Sequence, residues 1–206
     1  MRSIAILAGG RATRFGRRDK SALVVDGRTI LDRQLDEFSS LTDDVMIVGG
    51  APKARSLTET PEARRRTTVR EISDIVPGCG PLGGLHAALT AARGDSVFVV
   101  ACDMPYVSAA FAGYLFSLAG GAAIVVPKTE RGYHPLCAVY SRTCLEPVAA
   151  HLAAARLALR ELIDVVPVHV VAERDISRFG RASRLLANVN TPAEYASLEA
   201  LQGHKL

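Results

Sequence analysis

A glycine pair and several basic side chains follow the first apolar run of the chain, within one polar stretch. Residues 4–7 are apolar and typical of a buried strand, and they lead almost directly into Gly9-Gly10. Glycines at such a position let the backbone approach a ligand and point its N–H groups at it. Arg14 and Lys20 follow in the same stretch. Backbone donors beside positive charge suit phosphates, so the stretch is predicted to bind a nucleoside triphosphate.

Two common phosphate-binding motifs do not fit this stretch. In a P-loop the second glycine is followed by Lys and then Ser or Thr, whereas Arg17-Arg18 follow Gly16 here. The spacing from Gly10 to Gly16 is also one residue too long for a P-loop. The dinucleotide motif G-x-G-x-x-G does not occur in the stretch either.

An acidic residue stands directly after the most apolar strand candidate. Residues 96–101 are nearly continuous in apolar character, which is typical of a central strand covered by helices on both faces. In such sheets ligands bind beyond the carboxyl ends of the strands, where Asp103 lies in sequence. Mg²⁺ is usually held by one or two carboxylates plus substrate phosphates, so Asp103 is a candidate metal ligand. The alternative is that Asp103 caps the next helix, although Ser108 is better placed for that role.

Two further segments combine turn chemistry with polar groups. Residues 80–84, Gly-Pro-Leu-Gly-Gly, stand at the start of a predicted helix and suit either a loop that contacts base or ribose or an ordinary helix start. Near the end of the chain, Thr191, Pro192 and Glu194 match a capping box. The capping box leaves Asn190 unexplained, and its amide oxygen is a candidate second metal ligand.

The pattern of apolar residues predicts the elements that position these groups. Strand and helix candidates alternate, which predicts an α/β fold with a mostly parallel sheet and right-handed crossovers. The strand candidates are 3–7, 45–48, 69–72, 96–101, 122–126, 136–140 and 168–171. The helix candidates are 29–39, 82–92, 108–119, 143–155, 157–164 and 192–201.

Length and composition restrict the class of protein. The 206 residues, 49% of them hydrophobic, fit one domain over 1–206, and the net charge of 25 − 21 = +4 does not indicate a nucleic-acid binder. No apolar run approaches the roughly 18 residues of a membrane span, and no signal peptide is recognised. The four cysteines lack metal-binding spacing, which favours reduced thiols in a cytoplasmic protein. The basic run 64–66 is interpreted as a solvated face.

Four motifs together resemble the molybdenum cofactor guanylyltransferase family. In family order they are the segment from Leu7-Ala8-Gly9-Gly10 to Asp19-Lys20, then Gly80–Gly84, Cys102–Tyr106 and Asn188–Pro192. The resemblance covers almost the whole chain. It implies a Rossmann-like, glycosyltransferase-A-type nucleotidyltransferase fold, a three-layer α/β sandwich with a mostly parallel sheet and helices on both faces.

The resemblance also implies roles for individual residues. Backbone groups of the first motif contact the nucleotide, Lys20 binds its phosphates, Asp74 lies at the nucleotide, and Asp103 holds Mg²⁺ at the transferred phosphate. The expected nucleotide-binding residues are Leu7, Ala8, Gly9, Gly10, Lys20, Asp74, Gly80, Pro81, Leu82 and Asp103. The expected catalytic residues are Arg14, Lys20 and Asp103, and the expected metal ligands are Asp103 and Asn190.

The family reaction joins the GMP part of GTP to the terminal phosphate of molybdopterin and releases pyrophosphate. GTP and molybdopterin are therefore the expected partners, with molybdoenzymes or their chaperones as further candidates. His134, in a predicted turn, is assigned at most a place in the wall of the acceptor site. Gly49-Gly50 stand where the family often has an asparagine near the nucleotide.

Two other functions remain open at this point. One is a related nucleotidyltransferase that uses CTP or a sugar-phosphate acceptor. The other is a non-catalytic protein that binds and delivers a nucleotide or cofactor.

Overall fold

The described part of the chain forms an eight-stranded sheet with helices packed against both faces. The computed structural model describes residues 1–8, 24–25, 27–49, 68–189 and 194. The strands are β1 (Arg2–Leu7), β2 (Val24–Val25), β3 (Arg28–Thr29), β4 (Asp44–Val48), β5 (Thr68–Ile72), β6 (Ser96–Ala101), β7 (Ile124–Thr129), β8 (Gly132–Tyr133), β9 (Cys137–Ser141) and β10 (Val168–Ala172). The helices are α1 (Ile30–Phe38), α2 (Gly80–Ala91), α3 (Ala109–Ser117), α4 (Leu145–Ala153), α5 (Leu159–Ile163), α6 (Glu173–Ile176) and α7 (Ala182–Leu185).

The strand order in the main sheet is β10-β7-β9-β6-β1-β4-β5, with β8 paired to β7, while β2 and β3 form a separate two-stranded sheet. Strands β6, β1, β4 and β5 pair in parallel, and so do β7 and β10. Strand β9 lies between β6 and β7 and is antiparallel to both. The segment from β7 to β9 is too short for the crossover that a parallel pair requires, so β9 must run back antiparallel.

Alternating residues of the central strands point to two separate hydrophobic cores. Ile4 and Ile6 of β1 pack on one face with residues of α1, α3, α6 and α7. Ala5 and Leu7 pack on the other face with residues of α2, α4 and α5. This arrangement is the predicted three-layer sandwich, and it explains why β1 and β6 are apolar on both faces.

The ends of the central strands lie in register at one edge of the sheet. Leu7 is paired with Val48 of β4 and with Ala101 of β6, and Val48 is paired with Ile72 of β5. The segments that follow these residues therefore emerge side by side. We call this edge the carboxyl edge.

Each predicted strand overlaps an observed one, and the differences lie at element boundaries and in short elements. Helix α2 begins at Gly80 rather than residue 82, so Pro81 lies inside the first turn. The short elements β2, β3, β8, α6 and α7 were not predicted. The predicted helix 192–201 lies outside the described residues except for Glu194.

Strands β7 and β8 form a hairpin, since they pair antiparallel across Glu130 and Arg131. All four cysteines carry free thiols. Among the described residues, no helix has the length and apolar character needed to cross a membrane.

Candidate active site

At the carboxyl edge, backbone hydrogen bonds join the segments that follow β1 and β6 to the ends of β4 and β1. The Ala8 N–H donates to the Val48 carbonyl at 2.8 Å, and the Cys102 N–H donates to the Leu7 carbonyl at 3.1 Å. The start of the glycine-rich stretch therefore lies beside the segment that carries Asp103. Neighbouring strands are about 4.8 Å apart, so a ligand on this edge can contact both segments.

Asp103 lies in a tight turn that is fixed by other parts of the chain. The Met104 N–H donates to the Ala101 carbonyl at 3.2 Å, which closes a turn with Cys102 and Asp103 as its central residues. The Asp103 carbonyl accepts a hydrogen bond of 2.8 Å from the N–H of Val189, a residue of the last predicted motif. Ser108 caps α3, because its hydroxyl accepts from the Phe111 N–H at 3.2 Å, so the alternative role of Asp103 as that cap is wrong.

Gln34 of α1 is a buried contact of this turn that the sequence motifs did not indicate. Its Nε2 donates to the carbonyls of Ala101 at 2.8 Å and Met104 at 3.0 Å, and the residue is 1% exposed. A signal for it does exist in the sequence. Gln34 shares the buried face of α1 with Ile30, Leu35 and Phe38, and a glutamine on an otherwise apolar face needs an internal partner.

Asp74 lies on the same edge, two residues after the end of β5. Its Oδ1 is buried and accepts no hydrogen bond from any residue that the structure describes. Burial raises the pKa of the Asp74 carboxyl above its usual value. Strand β5 is three positions from β6, or about 14 Å, so the strand ends that precede Asp74 and Asp103 are well separated along this edge.

The first turn of α2 contributes Gly80, Pro81 and Leu82. The Leu82 side chain is fully buried in the core, so only the backbone of that residue can face a ligand. A Cβ on Gly84 would lie 3.3 Å from Leu7 Cδ2, so glycine at this position lets α2 approach the end of β1. The N-terminal end of a 12-residue helix carries partial positive charge, which favours an anion.

A cleft opens at the carboxyl edge on the other side of β6. It has a volume of about 230 Å³ and is lined by Thr129, Glu130, Arg131, His134, Glu173, Ala182, Ser183 and Leu186. We call it the hairpin cleft, because the β7–β8 hairpin forms one wall. Strand β7 runs in the direction of β6, since β9 is antiparallel to both, so the cleft lies on the same edge as Asp103.

His134 lies in the wall of the hairpin cleft, where its Nε2 is 2.9 Å from the Thr129 hydroxyl. Burial lowers the pKa of His134, the positive charge of Arg131 lowers it further, and Glu173 opposes them. The imidazole is therefore mainly neutral at pH 7.

Known proteins that resemble the chain identify its family. The family model described as MobA-like NTP transferase domain matches residues 4–170. A molybdenum cofactor guanylyltransferase of Desulfosudis oleivorans is 33% identical over 199 residues, which cover 95% of this chain and 93% of that protein. A probable molybdenum cofactor guanylyltransferase of Methanosarcina acetivorans is 34% identical over 204 residues, which cover 96% of this chain and 89% of that protein. The chain belongs to the MobA-like NTP transferase family.

A solved structure supports the fold of this family member. The crystal structure of molybdopterin-guanine dinucleotide biosynthesis protein A from Archaeoglobus fulgidus matches with a TM-score of 0.77 and 22% identity, covering 98% of this chain and 99% of that one. The predicted fold class, the resemblance drawn from four motifs and the predicted nucleotidyltransferase class are therefore confirmed.

A divalent metal fits the donors that this family member presents at the carboxyl edge. Within the described ranges, no group of three or more His, Cys, Asp or Glu residues could hold a metal ion. Mg²⁺ does not need such a group, because one or two carboxylates plus substrate phosphates usually hold it. The carboxylate of Asp103 is a donor of the required type, and Val189, hydrogen-bonded to Asp103, is next in sequence to Asn190.

Several predicted site residues lie outside the described part of the chain. These are Gly9, Gly10, Arg14, Lys20 and Asn190. Their roles in this family member therefore stay predictions. Of the described ones, Leu7, Ala8 and Asp103 lie close together, Gly80–Leu82 begin the helix behind β1, and Asp74 lies farther along the edge.

Proposed function

We propose that this protein transfers GMP from GTP to the terminal phosphate of molybdopterin, releasing pyrophosphate and forming the guanine dinucleotide cofactor. The position of Asp103 carries the proposal. Its turn is hydrogen-bonded to the end of β1, where the glycine-rich stretch begins. The name molybdenum cofactor guanylyltransferase of the 33% identical relative supports guanylyl transfer over the alternatives.

The nucleotide is proposed to lie along the carboxyl edge between β6 and β5. Its phosphates face the backbone of Leu7, Ala8, Gly9 and Gly10, the first turn of α2 at Gly80, Pro81 and Leu82, and Asp103. Its base points toward Asp74. The span of about 14 Å from β6 to β5 supports this extended placement.

The reaction is an in-line attack by a phosphate oxygen of the acceptor on the α-phosphorus of GTP. Both reactants are anions, so their repulsion must be overcome before they can meet. Arg14 and Lys20 neutralise the triphosphate and stabilise the pyrophosphate that leaves. A phosphate nucleophile is already ionised at pH 7, so no general base is required, and accurate positioning supplies much of the acceleration.

Asp103 and Asn190 are the proposed ligands of Mg²⁺. When bound there, the ion supplies positive charge that offsets the charge of the phosphates. The role of Asp103 is to hold that charge at the transferred phosphate. Its tight turn, bonded to β1, α1 and Val189, supports a fixed carboxylate position.

The hairpin cleft is the proposed acceptor site. It lies two strands from β6 on the carboxyl edge, on the opposite side from the nucleotide. Arg131 supplies a cation for an anionic acceptor, and the Glu130 and Glu173 carboxylates can accept from ring N–H groups. His134 forms part of its wall, as proposed from the sequence.

We place this activity in one domain over 1–206 in the cytoplasm, where the four free thiols fit a reducing environment. Molybdoenzymes or their chaperones are the proposed recipients of the product. No nucleic-acid partner is proposed, since a net charge of +4 does not indicate one, and no membrane partner is proposed, since no apolar run reaches the roughly 18 residues of a membrane span.

The test is pyrophosphate release with Mg²⁺, molybdopterin and each of GTP, CTP, ATP and UTP in turn. We expect release with GTP, dependent on the acceptor and lost in the Asp103→Ala variant. Release with CTP alone would replace guanylyl by cytidylyl transfer. Nucleotide binding without release from any of the four would instead contradict an enzymatic role and favour a delivery protein.

A further inference from the structure

We propose that Gln34 is a positioning residue whose buried amide holds the turn that aims the Asp103 carboxylate. The proposal rests on the proposed role of Asp103. Four polar or charged residues are buried within the described part of the chain: Ser3, Gln34, Asp44 and His151. Of these four, only Gln34 makes its hydrogen bonds to the Asp103 turn.

The orientation of the Gln34 amide is set by its neighbours. Both groups that face Nε2 are backbone carbonyls, which only accept hydrogen bonds. The reversed amide would place Oε1 against two carbonyl oxygens, so the NH₂ group must face them. Both N–H bonds of the amide are thereby used on the same turn.

The two bonded carbonyls belong to the first and last residues of the turn, Ala101 and Met104. Cys102 and Asp103 lie between them. One side chain therefore contacts both ends of the turn, which the Met104 N–H to Ala101 carbonyl hydrogen bond also joins. Other backbone hydrogen bonds link the Ala101 N–H to Leu136, the Cys102 N–H to Leu7 and the Asp103 carbonyl to Val189. Displacement of the Gln34 amide would remove one hydrogen bond from each end of the segment that carries Asp103.

Helix α1 is well anchored to serve as a support. Thr29 caps it, since its hydroxyl accepts from the Asp32 N–H at 3.1 Å. Glu37, one turn beyond Gln34, accepts at 2.7 Å from the N–H of Ala109 at the start of α3. Helix α1 therefore contacts the chain before Asp103, at Ala101, and after it, at Met104 and Ala109.

The amide carries an unfavourable contribution that an apolar residue would avoid. Gln34 Oε1 is buried and accepts no hydrogen bond from the described residues. An apolar side chain of similar size would remove this acceptor, but it would also take the amide donor away from the Ala101 and Met104 carbonyls. Burial alone therefore does not account for a glutamine at this position, whereas fixing the turn does.

Loss of the two Gln34 hydrogen bonds should lower the rate of the reaction more than the affinity for the nucleotide. A displacement of about 1 Å at a reacting group can reduce a rate about 100-fold. For Gln34→Met, which keeps the length and loses both donors, we expect kcat to fall about 10- to 100-fold, with KM for GTP within about twofold.

The experiment compares Gln34→Met with Leu35→Ala, a core substitution on the same helix that leaves both Gln34 hydrogen bonds in place. Each variant is measured for Tm, for kcat and KM, and for Mn²⁺ affinity in the presence of GTP without acceptor, by electron paramagnetic resonance. Gln34→Leu serves as the second test variant if the methionine variant does not fold. Asp103→Ala defines the Mn²⁺ affinity that remains without that carboxylate.

The proposal predicts that Gln34→Met weakens Mn²⁺ affinity toward that of Asp103→Ala and lowers kcat, while Leu35→Ala keeps both despite an equal or larger loss of Tm. Equal losses in the two variants, or unchanged values in Gln34→Met, would overturn it. If wild type binds Mn²⁺ through Asp103 but releases no pyrophosphate, the proposed function fails while the Mn²⁺ comparison still decides the role of Gln34.

Discussion

Asp44 and Asp74 lie at opposite ends of two neighbouring strands and have opposite environments. Asp44 begins β4, is fully buried and accepts several hydrogen bonds. The Ser3 hydroxyl donates at 2.6 Å, Arg70 donates at 3.0 Å from Nε and 2.6 Å from Nη2, and the Arg93 N–H donates at 3.0 Å. Asp74 follows β5 and has a buried oxygen that accepts no hydrogen bond from the described residues.

The pKa values of the two carboxyls move in opposite directions. Burial by itself would raise the pKa of Asp44, but hydrogen bonds from Ser3, Arg93 and Arg70 and the charge of Arg70 outweigh it and lower the pKa. At Asp74, burial is the one cause of the shift, and it raises the pKa. The first carboxylate is stabilised by its protein partners, whereas the second has a buried oxygen without such stabilisation from the described residues.

This difference distinguishes the amino-terminal edge of the sheet from the carboxyl edge, where the active site is proposed. At the amino ends of the strands, buried charge is fully paired and holds β1, β4, β5 and the end of α2 together. At the carboxyl edge, Asp74 and Asp103 follow the ends of β5 and β6. A carboxyl whose pKa burial raises, as at Asp74, is a feature found often at functional sites.

The largest expected effect at the carboxyl edge is that of Asp103→Ala on catalysis. Removing the proposed metal ligand should lower kcat by about 1,000-fold or more, because charge at the transferred phosphate is no longer offset. Pyrophosphate release measures the loss of kcat, and thermal unfolding measures whether the fold keeps its stability. Tm should stay close to wild type, as it should for Asp164→Ala, an exposed carboxylate at the end of α5 that serves as the control. An active Asp103→Ala enzyme would remove Asp103 from the site.

At the amino-terminal edge, Asp44→Asn should reduce stability and leave catalysis intact. Removing the charge leaves the partly buried Arg70 without its ion-pair partner, 2.6 Å away, so we expect a loss of about 3 kcal/mol in the free energy of unfolding. Tm would fall by about 10 °C for a chain of this size. Denaturant unfolding of this variant beside Asp43→Asn, its exposed neighbour, tests the effect. A drop in kcat at 25 °C in a fully folded Asp44→Asn protein would contradict the division between the two edges.

The pH dependence of unfolding offers a check on the same network. Because the folded pKa of Asp44 lies below the unfolded value of 3.8, its contribution is present above pH 3.8 and is lost as pH falls through the folded pKa. The stability of wild type should therefore decline more steeply in acid than that of Asp44→Asn. Parallel acid unfolding curves would show that Asp44 does not titrate as described.

The smallest effect is expected for Asp74→Asn. A neutral amide relieves the buried carboxylate, so the free energy of unfolding should rise by about 0.5 kcal/mol while KM for GTP increases several-fold. Because burial raises the folded pKa of Asp74, the advantage of the variant should shrink as pH falls through that pKa. Chemical denaturation at two pH values and initial-rate kinetics test this. A variant less stable than wild type would assign Asp74 to the structural group with Asp44.

Most of the strands and the placement of several site residues could be predicted from the sequence, because they depend on local patterns. Apolar runs, Pro81 and the N-cap Ser108 mark elements within a few residues of themselves. The end of β1 and Asp103 were expected together because parallel strands end at one edge. The hydrogen bond from the Cys102 N–H to the Leu7 carbonyl agrees with that expectation.

The position of β9 between β6 and β7, the hairpin cleft and the contacts of Gln34 could not be predicted in the same way. Gln34 contacts carbonyls 67 and 70 residues away, and a backbone carbonyl leaves no trace in residue type. The cleft combines a hairpin with α6 and α7, short elements that carry too few residues for a clear periodicity.

The sequence by itself determined the family, the alternation of strands and helices and the positions where charged side chains follow strand ends, since each is encoded in residue types at short range. Tertiary structure alone decided which of the buried polar groups meet. It paired Asp44 with Arg70 and Ser3, and it set Gln34 against the Asp103 turn. Both outcomes depend on the packing of segments far apart in the chain, where a hydrogen bond forms only if two backbones are held at the right distance.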